Sequence, residues 1–89
     1  MPTVLLTSAL QRFLRVPSAQ VTGTTIAEAL AAAFALEPRL RGYVLDDQGA
    51  LRRHVAIYVN GRRISDRARL TDVVAQGDEI YVFQALSGG

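Results

Sequence analysis

Apolar residues recur with a period of two near both ends of the chain and with a period near 3.6 between them. The run Thr3-Val4-Leu5-Leu6-Thr7-Ser8 is short and apolar with β-branched residues at intervals, which predicts a first strand. Pro17 punctuates the chain, and residues 19–23 predict a second, weaker strand. At Ile26 the spacing changes. Ile26, Ala29, Leu30, Ala33 and Leu36 fall near one face at helical period, predicting a helix of about eleven residues. Thr25 and Glu28 stand at capping-box spacing, where a hydroxyl and a carboxylate satisfy two orphan amides at the helix start. Pro38 cannot continue the helix, because it lacks an amide and biases Glu37 out of the α region.

The second half reads as strands. Tyr43-Val44-Leu45 and Leu51 flank the turn Asp46-Asp47-Gln48-Gly49 and predict a hairpin. Residues 53–59 alternate so that Val55, Ile57 and Val59 share one face. Asn60-Gly61 follows, and both residues tolerate the positive φ of a type I′ turn, so Arg62-Arg63-Ile64 returns as a short strand. Leu70, Val73 and Val74 predict one irregular helical turn. Gln76-Gly77-Asp78 turns the chain into a last strand over residues 79–86.

The order strand, strand, helix, strand, strand, strand describes a small α+β domain, with one main helix on one face of a mixed four- to five-stranded sheet. The first two strands form a hairpin and the last strand sits centrally beside the first. That is the ubiquitin-like β-grasp arrangement, expected over residues 1–86 with a flexible tail at residues 87–89.

Composition narrows the function. Eighty-nine residues, 49% of them apolar, suffice for one packed core and leave no room for a separate cofactor domain. No apolar run reaches the roughly 20 residues of a spanning helix. No basic residue precedes the first apolar stretch, so a secretory signal is not expected. The expectation is a cytoplasmic protein that does not engage a membrane. The absence of cysteine excludes disulfides, zinc-cysteine sites and thiol nucleophiles. The net charge of +2 invites a nucleic-acid reading, but the ten basic residues are interspersed with eight acidic ones. Only Tyr58 interleaves with the arginines, so strand edges and loops account for them better than a binding stripe. All ten are arginine; without lysine, the chain cannot build lysine-linked chains of itself.

The inventory for catalysis is thin. His54 is the single histidine, so no His-His metal spacing exists. Asp46 and Asp47 are adjacent and would point to opposite sides of an extended chain, while Asp66, Asp72 and Asp78 read as local caps. No glycine spacing suits a phosphate loop. No catalytic residue and no metal ligand is expected.

Gly88-Gly89 stands apart from this inventory. At an average glycine usage of about 7%, two glycines close a chain by chance about 0.5% of the time. A side-chain-free arm after an apolar strand fits a narrow slot on another protein, and three extended residues reach roughly 10 Å. The functional group at its tip is a carboxylate, a poor electrophile until a partner that uses ATP converts it to an acyl-adenylate. Sulfide or a thiol can then displace AMP.

The strand Val55-Ala56-Ile57-Tyr58-Val59-Asn60-Gly61, the turn Gln76-Gly77-Asp78-Glu79-Ile80 and the Gly-Gly end together resemble the ThiS/MoaD sulfur-carrier proteins over the whole chain. The resemblance implies a carrier whose last glycine is adenylated by an E1-like enzyme and becomes a thiocarboxylate. That group would donate sulfur to an acceptor enzyme in thiamine, molybdopterin, cysteine or related biosynthesis. Gly89 would bear the sulfur, with Gly88 and Ser87 as the tail; Ser87 replaces the small apolar residue common before the glycines. Phe83-Gln84-Ala85-Leu86 looks like the thiamine-type carriers, whereas the chain length and the residue 43–53 hairpin look like the longer molybdopterin and cysteine-pathway forms.

A single helix cannot cover both faces of a sheet. If Val55, Ile57, Ile80 and Val82 face the helix, then Tyr58, Tyr81, Phe83 and Ala85 face away, and with Leu86 they form the expected partner interface. A monomer that meets an adenylating enzyme and a sulfur acceptor follows. Two alternatives keep the same fold: a ubiquitin-like modifier of target lysines, and a permanent small subunit of molybdopterin synthase.

Overall fold

Thr25 opens the long helix. In this computed structural model, which describes residues 1–6 and 18–84, the Glu28 amide donates to the Thr25 hydroxyl at 3.2 Å and α1 spans Ile26–Leu36. The Glu28 carboxylate reaches one residue further back than a strict capping box. It accepts from the Thr24 amide at 2.7 Å and the Thr24 hydroxyl at 2.9 Å, bonds that hold its carboxyl below the usual range. Ile26, Ala29, Leu30 and Ala33 are buried as the spacing predicts. Leu36, the last residue of the helix, is not; it is 67% exposed.

Glu37 ends α1 as expected, but Pro38 then starts a second helix instead of a strand. The short α2, Arg39–Val44, buries Leu40 and Val44, one turn apart on one face. The predicted strand at Tyr43-Val44-Leu45 is therefore corrected, and only an isolated Leu45–Leu51 bridge remains of the hairpin. The turn it closes is built as read. Asp46 Oδ1 accepts from the amides of Gln48 and Ala50, and Gly49 takes φ 82°.

Five strands follow the order β2-β1-β5-β3-β4, with β1 at Thr3–Leu6, β2 at Ser18–Gln20, β3 at Val55–Val59, β4 at Arg62–Arg63 and β5 at Glu79–Gln84. Every neighbouring pair is antiparallel except β1 and β5, which run parallel with Val4 opposite Ile80 and Leu6 opposite Val82. The last strand is thus central beside the first. Asn60 and Gly61 turn β3 into β4 with φ 50° and 87°, the paired positive values of a type I′ turn.

The core lies between the sheet and the helices. Val4, Val55, Ile57, Ile80 and Val82 contribute from the strands, each at most 2% exposed, and Ile26, Leu30, Leu40 and Val44 close it from the other side. Residues 70–74 differ from the predicted helical turn. Val73 bridges Thr25 in extended backbone, so Leu70 and Val74 are buried while Val73 is 79% exposed. Among the described residues no helix is long and apolar enough to cross a membrane. The architecture is the ubiquitin-like β-grasp, with a five-stranded mixed sheet and two helices.

Candidate functional site

The face of the sheet turned away from α1 is fixed by register. Tyr58 on β3 is opposite Tyr81 on β5, and Ala56 is opposite Phe83. Their neighbours Val55, Ile57, Ile80 and Val82 point to the core, so alternation sends the three rings outward. They form one cluster. Tyr58 and Phe83 meet edge to face at 5.4 Å, and Tyr81 and Phe83 stack at 6.2 Å with planes 29° apart. The Tyr81 hydroxyl is directed to Glu79 Oε1 at 3.4 Å. Phe83 is 41% exposed, and the two tyrosines are half-buried.

Leu5 and Arg63 also belong to this face. Leu5 on β1 is opposite Tyr81, and Arg63 on β4 is opposite Tyr58. The Ile64 amide donates to the Ile57 carbonyl, which makes Tyr58–Arg63 the close, non-hydrogen-bonded kind of pair. A row Arg63–Tyr58–Tyr81–Leu5 therefore crosses four strands. Sequence reasoning missed Arg63, although the two-residue Asn60-Gly61 turn already places residue 63 opposite residue 58. It missed Leu5 because Val4, Leu5 and Leu6 are all apolar and hide their own alternation.

Other candidate groups are tied into the framework. Asp72 accepts from the amides of Ser65 and Asp66. Asp78 accepts from the Ala75 amide and from Asn60 Nδ2, which lowers its pKa. Both aspartates line a polar cleft of about 290 Å³ beside β4, with their oxygens already engaged. Asp66 accepts from the amides of Ala68 and Arg69 and from the Thr71 hydroxyl, which hold its carboxyl down at about 2. Arg52 donates from Nε to the Gly42 carbonyl, and Arg67 donates to the Arg52 carbonyl, so these two arginines clip loops together. His54 is exposed just before β3.

The expected site residues thus divide. Tyr58, Tyr81 and Phe83 come together on one face, as the alternation requires. Ala85, Leu86, Ser87, Gly88 and Gly89 lie outside the described residues. What the geometry offers is an aromatic surface on β3 and on β5, the last described strand before Gly88-Gly89 in the sequence.

Comparison with known proteins agrees with this architecture. The ThiS family model matches residues 9–89. Small archaeal modifier protein 1 of Haloferax volcanii is 35% identical over 65 residues, 73% of this chain and 70% of that protein. The crystal structure of the same Haloferax volcanii protein superposes with a TM-score of 0.82 at 28% identity, covering 99% of this chain and 98% of the other. A chain of the Amycolatopsis orientalis BexX/CysO complex reaches a TM-score of 0.86 over 100% of both chains; at 21% identity that likeness speaks to the fold alone. Together with the β-grasp order and its central last strand, these matches establish that the chain belongs to the ThiS family.

Proposed function

We propose that this protein is a sulfur carrier that works through Gly89. An E1-like partner docks on the Tyr58–Tyr81–Phe83 face and draws the tail, residues 87–89, into its nucleotide site. There the Gly89 carboxylate attacks ATP, forming an acyl-adenylate and releasing pyrophosphate. Sulfide then displaces AMP and leaves a thiocarboxylate. The loaded carrier delivers that sulfur to an acceptor enzyme in the cytoplasm, in thiamine, molybdopterin, cysteine or related biosynthesis. The chain contributes no catalytic group of its own in this sequence of events; it contributes the acyl group and the surface that presents it.

The observation that carries the reading is the family match extending through residue 89, in a domain whose β3 and β5 carry the outward aromatic cluster. The test is the intact mass after incubation with ATP, sulfide and the E1-like enzyme of the same source. A gain equal to exchanging one oxygen for one sulfur, abolished by deleting Gly89, is expected. An unchanged mass, with an enzyme proven active on another carrier, would sink the proposal.

A second reading is favoured by one observation, the 35% identity to a protein named as a modifier. An amine can attack the same adenylate, giving an isopeptide bond to a target lysine. Ladders of larger species carrying this chain would support that reading, and each modified lysine would carry a single copy, because the chain has no lysine on which to extend.

A further inference from the structure

Arg63 is placed as part of the docking face by the turn that precedes it. Asn60-Gly61 closes the hairpin with two residues, so Tyr58 and Arg63 are direct partners, with Cα atoms about 4.5 Å apart in a pair of this type. Their side chains leave the sheet on the same side, and Arg63 stands at the end of the row Arg63–Tyr58–Tyr81–Leu5. Arg52 and Arg67 are held by backbone carbonyls and Arg39 by Glu37. Arg63 is exposed and, among the described residues, has no carboxylate partner. Glu79, an acidic residue on this face, accepts from the Tyr81 hydroxyl at 3.4 Å and makes no ion pair with Arg63.

An arginine in that position constrains whatever covers the rings. The guanidinium stays charged at every physiological pH. A partner that packs on Tyr58 and Tyr81 must strip water from the group beside them, and a charge desolvated without an acceptor opposes binding. A carboxylate matches the planar fork of the guanidinium and offsets that loss. Arg62 is one residue away and opposite Val59, so alternation sends its side chain to the other side of the sheet, although both arginines border the polar cleft beside β4.

We infer that Arg63 is a specificity determinant of the docking face, and that the partner fitting this face is an adenylating enzyme presenting an acidic side chain opposite Arg63, next to an apolar patch that covers the tyrosines. The inference rests on the carrier reading above and names the chemistry its partner must have.

The experiment measures association of the full chain with the E1-like enzyme of the same source, at low and at high salt. Arg63→Glu should weaken binding by about tenfold or more at low salt, through faster dissociation as well as slower association, and the association part of the gap should narrow as salt rises. Arg62→Glu changes the net charge equally but on the other face, and should stay within about twofold of the unaltered chain. Arg63→Gln, which removes the charge without reversing it, should fall between, and covers the case in which reversal disturbs folding. Equal losses for Arg62→Glu and Arg63→Glu would reduce the effect to net charge and overturn the inference. So would unaltered binding by Arg63→Glu and Arg63→Gln while Phe83→Asp abolishes it, though the docking face would then stand. If Phe83→Asp also binds normally, or the unaltered chain does not bind, the docking reading itself fails and the inference with it.

Discussion

The ring of Tyr58 stands edge-on to that of Phe83, with centroids 5.4 Å apart and planes at 80°, although the two residues are diagonal neighbours on adjacent strands. Such an arrangement sets the positive edge of one ring against the negative face of the other. The cluster is held by its own members and rests on strands whose opposite face buries Val55, Ile57, Ile80 and Val82. Phe83→Asp removes one ring from the partly exposed side and leaves Ile80 and Val82 in place. The domain should therefore stay folded, with a loss of about 1 kcal/mol from the aromatic contacts. Binding to the adenylating enzyme should fall sharply in the same variant. Calorimetric melting alongside a binding titration checks both, and a collapse of the melt would show that the ring is part of the core.

Gly23 lies against the first turn of α1 with φ 148°. A Cβ there would sit 2.8 Å from the Ala29 nitrogen, which is backbone and cannot swing aside. Gly23→Ala combines a disfavoured conformation with that clash, so it should destabilise the chain by more than about 1 kcal/mol. Gly42, where a Cβ would meet nothing within 4 Å, is the matched control. Denaturant midpoints of the two alanine variants should separate clearly; coincident midpoints would show that the helix start can shift.

Asn60 closes one end of the sheet's longest pairing, where β3 stops and β5 starts. Its side chain donates to Asp78 at 2.9 Å and accepts from the Glu79 amide at 2.9 Å, while its backbone takes φ 50°. Asn60→Gly relieves the backbone and discards both bonds; each such bond is worth about 1 kcal/mol. The variant should be less stable than the parent despite the better turn residue. A gain in stability would mean that the turn conformation, not the side-chain bridge, limits this corner.

Acid should unfold the chain through its carboxylates. The amide of Arg69 first, then the Thr71 hydroxyl, bring Asp66 from the ordinary 3.8 to about 2, and Glu28 and Asp78 are lowered by their own amide bonds. A folded pKa below the unfolded one contributes stability that is complete above the unfolded value and is lost as pH falls through the folded value. The thermal midpoint should be level above about pH 5 and decline between about pH 4 and pH 2. Asp66→Asn should lower the plateau and flatten the decline. A midpoint that stays level down to pH 2 in the parent would contradict the assignment.

Local chemistry made much of this fold legible. Thr25, Glu28 and Pro38 bracket α1, Asn60-Gly61 sets a turn with both φ values positive, and alternation along Val55–Val59 and Glu79–Gln84 sorts aromatic from aliphatic residues. The second helix was illegible because Pro38 does two things at once, ending one helix and entering the next. Arg39–Val44 is also too short to show a period and contains Gly42 and the β-branched Val44. The buried pair Leu40 and Val44 is the one spacing that marks it. Val73 went astray for a related reason: three apolar residues in five suit helical and extended spacing alike, and the bridge to Thr25 decides between them. At the candidate site the rings were readable from alternation alone, whereas Arg63 became visible only once the turn length was converted into register.

The parallel pairing of β1 and β5 has a mechanical side. The first strand begins at the edge where β5 also begins, so tension applied at the start of β1 and beyond the end of β5 runs along the strands instead of across them. All bonds of that ladder then share the load in shear and must yield together, whereas the antiparallel β3–β4 hairpin would open one bond at a time. Force directed along β5 against the start of β1 therefore meets more resistance than force that peels β4 from β3. Pulling single molecules between those points should give a higher rupture force than pulling between Tyr58 and Arg63; equal forces would show that the ladder bears no such load.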